Sequence, residues 1–165
     1  MKQRTAQLIA TLAQKGELMQ ALRNLLEKEK DCMLALDLTG LEETQQEIGR
    51  LMGQMGELSE TCKAMVAQLG SEMGLAGSPA LTPIIDRLAQ PEKGALREAQ
   101  KQVQSHSREL SGALELNRSL LSDSLQVVER SINFFNRLFN PVDTYGLAGS
   151  LVSRRGGGRL VCKEI

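Results

Sequence analysis

Apolar residues recur along this chain at alternating steps of three and four, a spacing that gathers them on one side of an α-helix. The first row is Leu8, Leu12, Lys15, Met19, Leu22, Leu26, Glu29, Met33 and Leu36, with two charged residues set into it. Leu25 and Cys32 lie beside the row and widen it, and the spacing predicts a helix over 3–36. Asp37-Leu38-Thr39-Gly40 then stops it with residue types that favour turns and caps. A second row, Leu41, Thr44, Ile48, Leu51, Met55, Leu58, Cys62, Met65 and Leu69, predicts a helix over 40–73. Thr39 and Glu42 have the spacing of a capping box at its start. Gly53, Gly56 and Gly70 interrupt this helix, each at a cost of roughly 1 kcal/mol relative to Ala. Close approach of a neighbouring helix or a locally soft segment accounts for them; a hinge is the other reading.

A break at Gly74 to Pro79 separates the first two segments from the rest. Thr82 as cap and Pro83 at the first helical position predict a short helix over 83–89. Pro91 opens the last long segment, 91–139, which at 1.5 Å per residue reaches about 70 Å if unbroken. Its first half is mostly polar, with only Leu96 and Val103 marking a seam. Its second half carries Leu110, Leu114, Asn117, Leu121, Leu125, Val128, Ile132, Phe135 and Phe139, flanked by Leu116, Leu120, Phe134 and Leu138. Asn117 is the lone polar member of that row: either a buried Asn that fixes register, or a place where the row meets solvent or a partner. Residues 140–165, punctuated by Pro141, Gly146 and Gly156-Gly157-Gly158, read as a flexible C-terminal tail. The expected fold is all-α: an elongated antiparallel bundle of three long helices with a short connector helix. Residues 1–139 form the bundle and 140–165 the tail. The last helix is too long to be matched by the first two, so part of it must overhang or bend. Its closing stripe then packs in a self-dimer, folds back, or takes a partner helix.

Composition supports this class. Three Phe, one Tyr and no Trp leave Leu, Ala, Met and Val to supply the apolar content, and no Val/Ile/aromatic run suggests a sheet. The 20 basic and 20 acidic residues balance, so no net field draws the chain to nucleic acid or to an anionic membrane. The opening residues lack a signal-peptide core, and nothing approaches a membrane-spanning run, so no stable membrane insertion is expected. Cys32, Cys62 and Cys162 are odd in number and far apart, which fits reduced thiols in the cytoplasm better than a disulfide framework.

No constellation for catalysis emerges. The single histidine, His106, lies in the polar run Gln104-Ser-His-Ser-Arg108 and reads as a solvated helix-face residue; a phosphotransfer role would need a different flanking pattern. No two Cys or His lie close enough for a metal site, so neither a metal nor another cofactor is expected. The glycine triplet lacks the Lys-Ser/Thr and the strand–helix context of a phosphate loop. The expectation is a protein-binding module with no enzymatic activity, no small-molecule substrate and no nucleic-acid partner.

Three features together resemble the FlgN family of flagellar export chaperones. The first is Asn117-Arg-Ser-Leu120-Leu121 leading into an apolar helix. The second is Asp143-Thr144-Tyr145-Gly146 soon after that helix, with Gly149 three residues on. The third is the basic, glycine-rich Ser153 to Arg159. The helix layout is similar as well. The resemblance implies a cytoplasmic chaperone of the flagellar type III export system. Such a chaperone binds the hook-associated junction proteins FlgK and FlgL, keeps them from self-associating and delivers them to the export gate protein FlhA. It implies client binding by the C-terminal part of the chain, where Leu121, Leu125, Val128, Ile132, Phe135 and Leu138 are the expected contact residues. It further implies gate docking by the Tyr-Gly motif, here Tyr145 and Gly146. The competing expectation is a coiled-coil or bundle adaptor with no role in secretion.

Overall fold

The computed structural model describes residues 1–75 and 80–139, together with the backbone of 143–145 and 151–153. Four helices run in the order α1 (Lys2–Ala35), α2 (Leu38–Glu72), α3 (Leu81–Arg87) and α4 (Glu92–Phe139). Two three-residue strands follow, β1 (Asp143–Tyr145) and β2 (Leu151–Ser153). The chain divides into two compact units, residues 1–121 and 122–165, and α4 contributes to both.

In the first unit α1 and α2 form an antiparallel pair. Arg4 of α1 is ion-paired with Glu72 at the far end of α2, while Gln45 near its start donates to Glu29 of α1 at 3.1 Å. The join is a single tight corner. Leu36 closes α1 in the left-handed region, with φ 56°, and the Asp37 N–H donates back to Cys32 O at 2.9 Å. A left-handed leucine is uncommon and costs about 1–2 kcal/mol. Leu36 is 84% exposed, so the apolar row of α1 ends before it rather than on it. Asp37 caps α2 by accepting the Gly40 N–H at 3.0 Å. The expected capping box of Thr39 and Glu42 does not form, because α2 already begins at Leu38 and places Gly40 where the box needs its glutamate. A side chain at Gly40 would run into the Asp37 carboxylate and Cys32 Sγ.

α4 runs parallel to α1. Leu96 and Ala99 share a cluster with Leu8 and Leu12, Arg23 pairs with Glu109 at 2.7 Å, and Asn117 reaches Leu26. By these contacts α2 runs against α1 and α4 runs with it. At one end α1, α2, α3 and α4 meet in a cluster of Leu8, Leu12, Cys62, Leu69, Ile84, Ile85, Leu96 and Ala99. Burial of each large member stabilises by roughly 1.5–3 kcal/mol. Burial also pushes the Cys62 thiol above its usual range, only partly offset by the nearby Lys15 ammonium. The short helix α3 starts at Leu81 after Ala80, not at Pro83 after Thr82; it seals this end by inserting Ile84 and Ile85.

Toward the other end polar groups join Leu26 and Cys32 in the core. Glu29 is only 6% exposed and Asn117 only 4%. Asn117 Nδ2 donates to Leu26 O and to Glu29 Oε2, each at 2.7 Å, and Glu29 Oε1 accepts from Gln45. One carboxylate thus joins three helices, and of the two placements read for Asn117 the buried one holds.

His106 departs from its expected place. It is half-buried, facing the bundle: its ring lies against Gly16 of α1, where an added Cβ would sit 3.3 Å from Cδ2, and its Nε2 is 3.3 Å from Gln20 Nε2. Gly16, not Gly53 or Gly56, is the glycine of close approach; the latter two open onto free space.

The second unit contains the last five turns of α4 and the paired strands, with Asp143 opposite Ser153, Thr144 opposite Val152 and Tyr145 opposite Leu151. These six strand residues fall within the segment expected to be a flexible tail. The rest of 140–165 lies outside the described residues.

Asn117→Ala should destabilise the chain by roughly 1–3 kcal/mol in urea denaturation, because it leaves a buried carboxylate short of a donor. Asn117→Asp should cost more, since it sets a second buried carboxylate against Glu29.

Candidate functional site

The side chains of α4 sort into rows by their seven-residue spacing. The row facing α1 and α2 is Leu96, Ala99, Val103, His106, Leu110, Ala113, Asn117 and Leu120, each buried or half-buried. A second row follows it one residue later at every step, and so lies roughly 100° round the helix. It begins with Arg97, Gln100, Gln104, Ser107 and Ser111, all polar, and after Leu114 and Arg118 turns wholly apolar at Leu121, Leu125, Val128, Ile132, Phe135 and Phe139. Leu114 and Leu121 stand in the same apolar row as Leu110 and Asn117 when the chain is read by sequence alone. They belong to the second row instead and are 48% and 37% exposed.

Beyond Leu121 every described side chain of α4 is exposed. The large apolar residues from Leu125 to Phe139 have relative exposures between 53% and 73%. They fall in both rows: Leu125, Val128, Ile132, Phe135 and Phe139 in the second, Val127, Phe134 and Leu138 in the continuation of the first. Ser124 and Ser131 also lie in the first; the Ser131 hydroxyl is bonded to Val127 O at 2.9 Å, which leaves the face without an open polar group at that point. Asp123, Glu129, Arg130 and Arg137 all lie on the opposite side, by their place in the helical repeat. Three rings consolidate the far end of the face: Phe134 meets Phe135 edge-on at 5.6 Å between centroids, and Phe135 stacks on Phe139 at 6.1 Å. Such ring pairs add about 0.5–1.5 kcal/mol beyond their area, which holds the aromatic patch in place.

The structure therefore brings five expected contact residues, Leu125, Val128, Ile132, Phe135 and Leu138, onto one exposed apolar face of the second unit, with Leu121 in the same row at the end of the first. Val127 was missed, and Phe134 was taken for a flank. Reading the chain at seven-residue steps from Leu120 finds both. Tyr145 is placed only as a strand residue opposite Leu151, and its side chain and Gly146 lie outside the described residues.

Other surfaces offer less. A concavity of about 530 Å³ lies between α1 and α2, lined by Gln14, Glu17, Leu18, Ala21, Gln54, Glu57, Leu58 and Thr61. Its walls mix amides, carboxylates, a hydroxyl and aliphatic groups without a convergent set of acids, bases or nucleophiles. Among the described residues no three His, Cys, Asp or Glu gather as metal ligands, and no helix is long and apolar enough to cross a membrane.

A family model described as FlgN protein matches residues 1–153 of the chain. No curated protein and no solved structure matches it.

Proposed function

The chain belongs to the FlgN family, and from that premise we propose that it is a cytoplasmic flagellar export chaperone acting by binding alone, without catalysis or cofactor. Its clients are the hook-associated proteins FlgK and FlgL. It covers their self-associating segments and hands them to the export gate protein FlhA.

The observation that carries this reading is the uncovered apolar face of α4 between Leu125 and Phe139. Patches of this kind on soluble proteins mark interaction sites. An amphipathic helix laid along such a face buries its own apolar side chains against it. A client segment that is unfolded before binding spends part of the interaction energy on ordering itself, which keeps the complex reversible. A carrier that must surrender its cargo needs that reversibility. The balance of 20 basic against 20 acidic residues also favours a protein client over nucleic acid. Tyr145 and Gly146 are the proposed gate-docking residues, distinct in sequence from the client face.

Leu125→Asp combined with Val128→Asp should abolish co-purification of FlgK and FlgL while leaving the far-UV helix signal and the thermal midpoint close to those of the parent chain, since both side chains are exposed. Undiminished capture by the folded variant would contradict the assignment. Tyr145→Ala should weaken FlhA binding and export at least severalfold in a pull-down and secretion assay, with client affinity unchanged. Equal loss of both activities would show that gate and client share one surface.

A further inference from the structure

The corner between α1 and α2 carries an apolar cluster of its own, inside the first unit. Leu34, in the last turn of α1, is 68% exposed, Leu36 at the corner 84%, and Leu38, which opens α2, 77%. Single exposed leucines are common on proteins, but three within five residues make a patch. None of them helps to hold the bundle. The buried side chains nearest in sequence are Glu29, Cys32 and Thr44, with Met33 and Leu41 half-buried.

Leu36 is in addition an expensive residue for its place. α1 closes with the bonds of a left-handed cap, from Leu36 N–H to Met33 O at 3.3 Å and from Asp37 N–H to Cys32 O at 2.9 Å. Glycine is the usual occupant of such a cap, because it adopts a positive φ without steric cost. Leucine holds the position here at φ 56° and gains no buried contact in return. Its side chain strains the free chain without adding packing to it, and strain of that kind points to a use outside the fold.

The charges beside the patch select its partner. From Asp31 to Gly49 there are five acidic residues, Asp31, Asp37, Glu42, Glu43 and Glu47, and no basic one. Asp37 caps α2 and Glu47 is paired with Arg50. Asp31, Glu42 and Glu43 are exposed, and among the described residues they pair with no cation. Leucines flanked by unpaired carboxylates repel an anionic membrane or an acidic segment and favour a basic one.

We propose that the α1–α2 corner is a second docking surface, taking a basic amphipathic helix from a partner protein. The apolar side of that helix covers Leu34, Leu36 and Leu38, and its Lys or Arg side chains meet Asp31, Glu42 and Glu43. The site is separate from the client face and does not depend on the chaperone reading.

The probe is a synthetic helical peptide with Leu along one side and Lys along the other. Two control peptides replace its Lys by Glu, or its Leu by Ser. All are titrated into the full-length chain carrying Leu125→Asp and Val128→Asp, which blunts the α4 face as a competing apolar surface. Hydrogen exchange locates the footprint, and circular dichroism verifies helix content. The Lys/Leu peptide should protect amides between 31 and 43 and bind tenfold or more tighter than either control. Adding Leu34→Ser with Leu38→Ser, or separately Glu42→Lys with Glu43→Lys, should cost tenfold or more in affinity. Leu36→Gly should raise the thermal midpoint and yet weaken the peptide severalfold. Protection confined to α4, equal binding of the Glu/Leu peptide, or affinity unchanged in the corner variants overturns the proposal. So does a Leu36→Gly chain that melts below its parent, since Leu36 would then be serving the fold. A chain that sediments as a dimer, and that Leu34→Ser with Leu38→Ser returns to monomer, gives the patch to a second copy and also overturns it.

Discussion

The structure turns on a mismatch between what α4 offers and what α1 and α2 cover. Within residues 1–121 one row of α4 is buried or half-buried, and it mixes Leu96, Val103, Leu110 and Leu120 with Ala99, Ala113, Asn117 and His106, whose ring lies over Gly16. The adjacent row is polar as far as Ser111, which suits a helix side left in water. Its change to Leu121, Leu125, Val128, Ile132, Phe135 and Phe139 has no counterpart in α1 or α2. Burying a side chain of that size is worth roughly 1.5–3 kcal/mol, so a run of them left exposed is a standing incentive for association. Along its length α4 changes in composition: its second row is polar as far as Ser111 and apolar from Leu121 on.

The polar layer keeps that division sharp. An apolar core slides between helical registers at modest cost, because one leucine replaces another. Glu29 does not permit such sliding, since a shift of one turn would strip its carboxylate of Asn117 and Gln45 and leave a charge buried without donors. The two charged interruptions in the row of α1 are therefore of different kinds. Lys15 stays at the edge of the core, half-exposed, with a long stem that carries its ammonium outward, while Glu29 is drawn in and tied to both neighbours. Fixing the register of α4 at Asn117 also decides which of its rows is left over.

Much of this was legible in the chain. The alternating three-and-four spacing located the three long helices to within a few residues, and the row of α2 from Leu41 to Leu69 is buried or half-buried throughout. What failed did so for local reasons. Leu114 and Leu121 looked continuous with Leu110 and Asn117, whereas the helical repeat puts Ala113 and Leu120, one position earlier, in the half-buried row. His106 looked solvated because its neighbours are polar, but it follows Ala99 by seven and precedes Ala113 by seven, and that spacing sets its direction. Caps were misjudged because several candidates crowd each corner: Asp37 preceded Thr39 in the competition to close α2, and Ala80 sufficed to start α3 without any side-chain bond. Gly53 and Gly56 fit no contact in the folded chain, and nothing in the structure explains them. The exposed face itself was readable as an excess of apolar residues, though its width emerged only once the bundle row had been identified.

Hydroxyl-radical footprinting of the free, monomeric chain tests the uncovered face most directly. Side chains from Leu125 to Phe139 should be oxidised at rates close to those of an exposed reference peptide, with Leu8, Leu22 and Leu96 strongly protected in the same sample. Adding FlgL should then suppress oxidation along that stretch alone. Protection of Leu125, Val128 and Phe135 already present in the free monomer would mean that the chain covers its own face, and the account of an open site would be wrong.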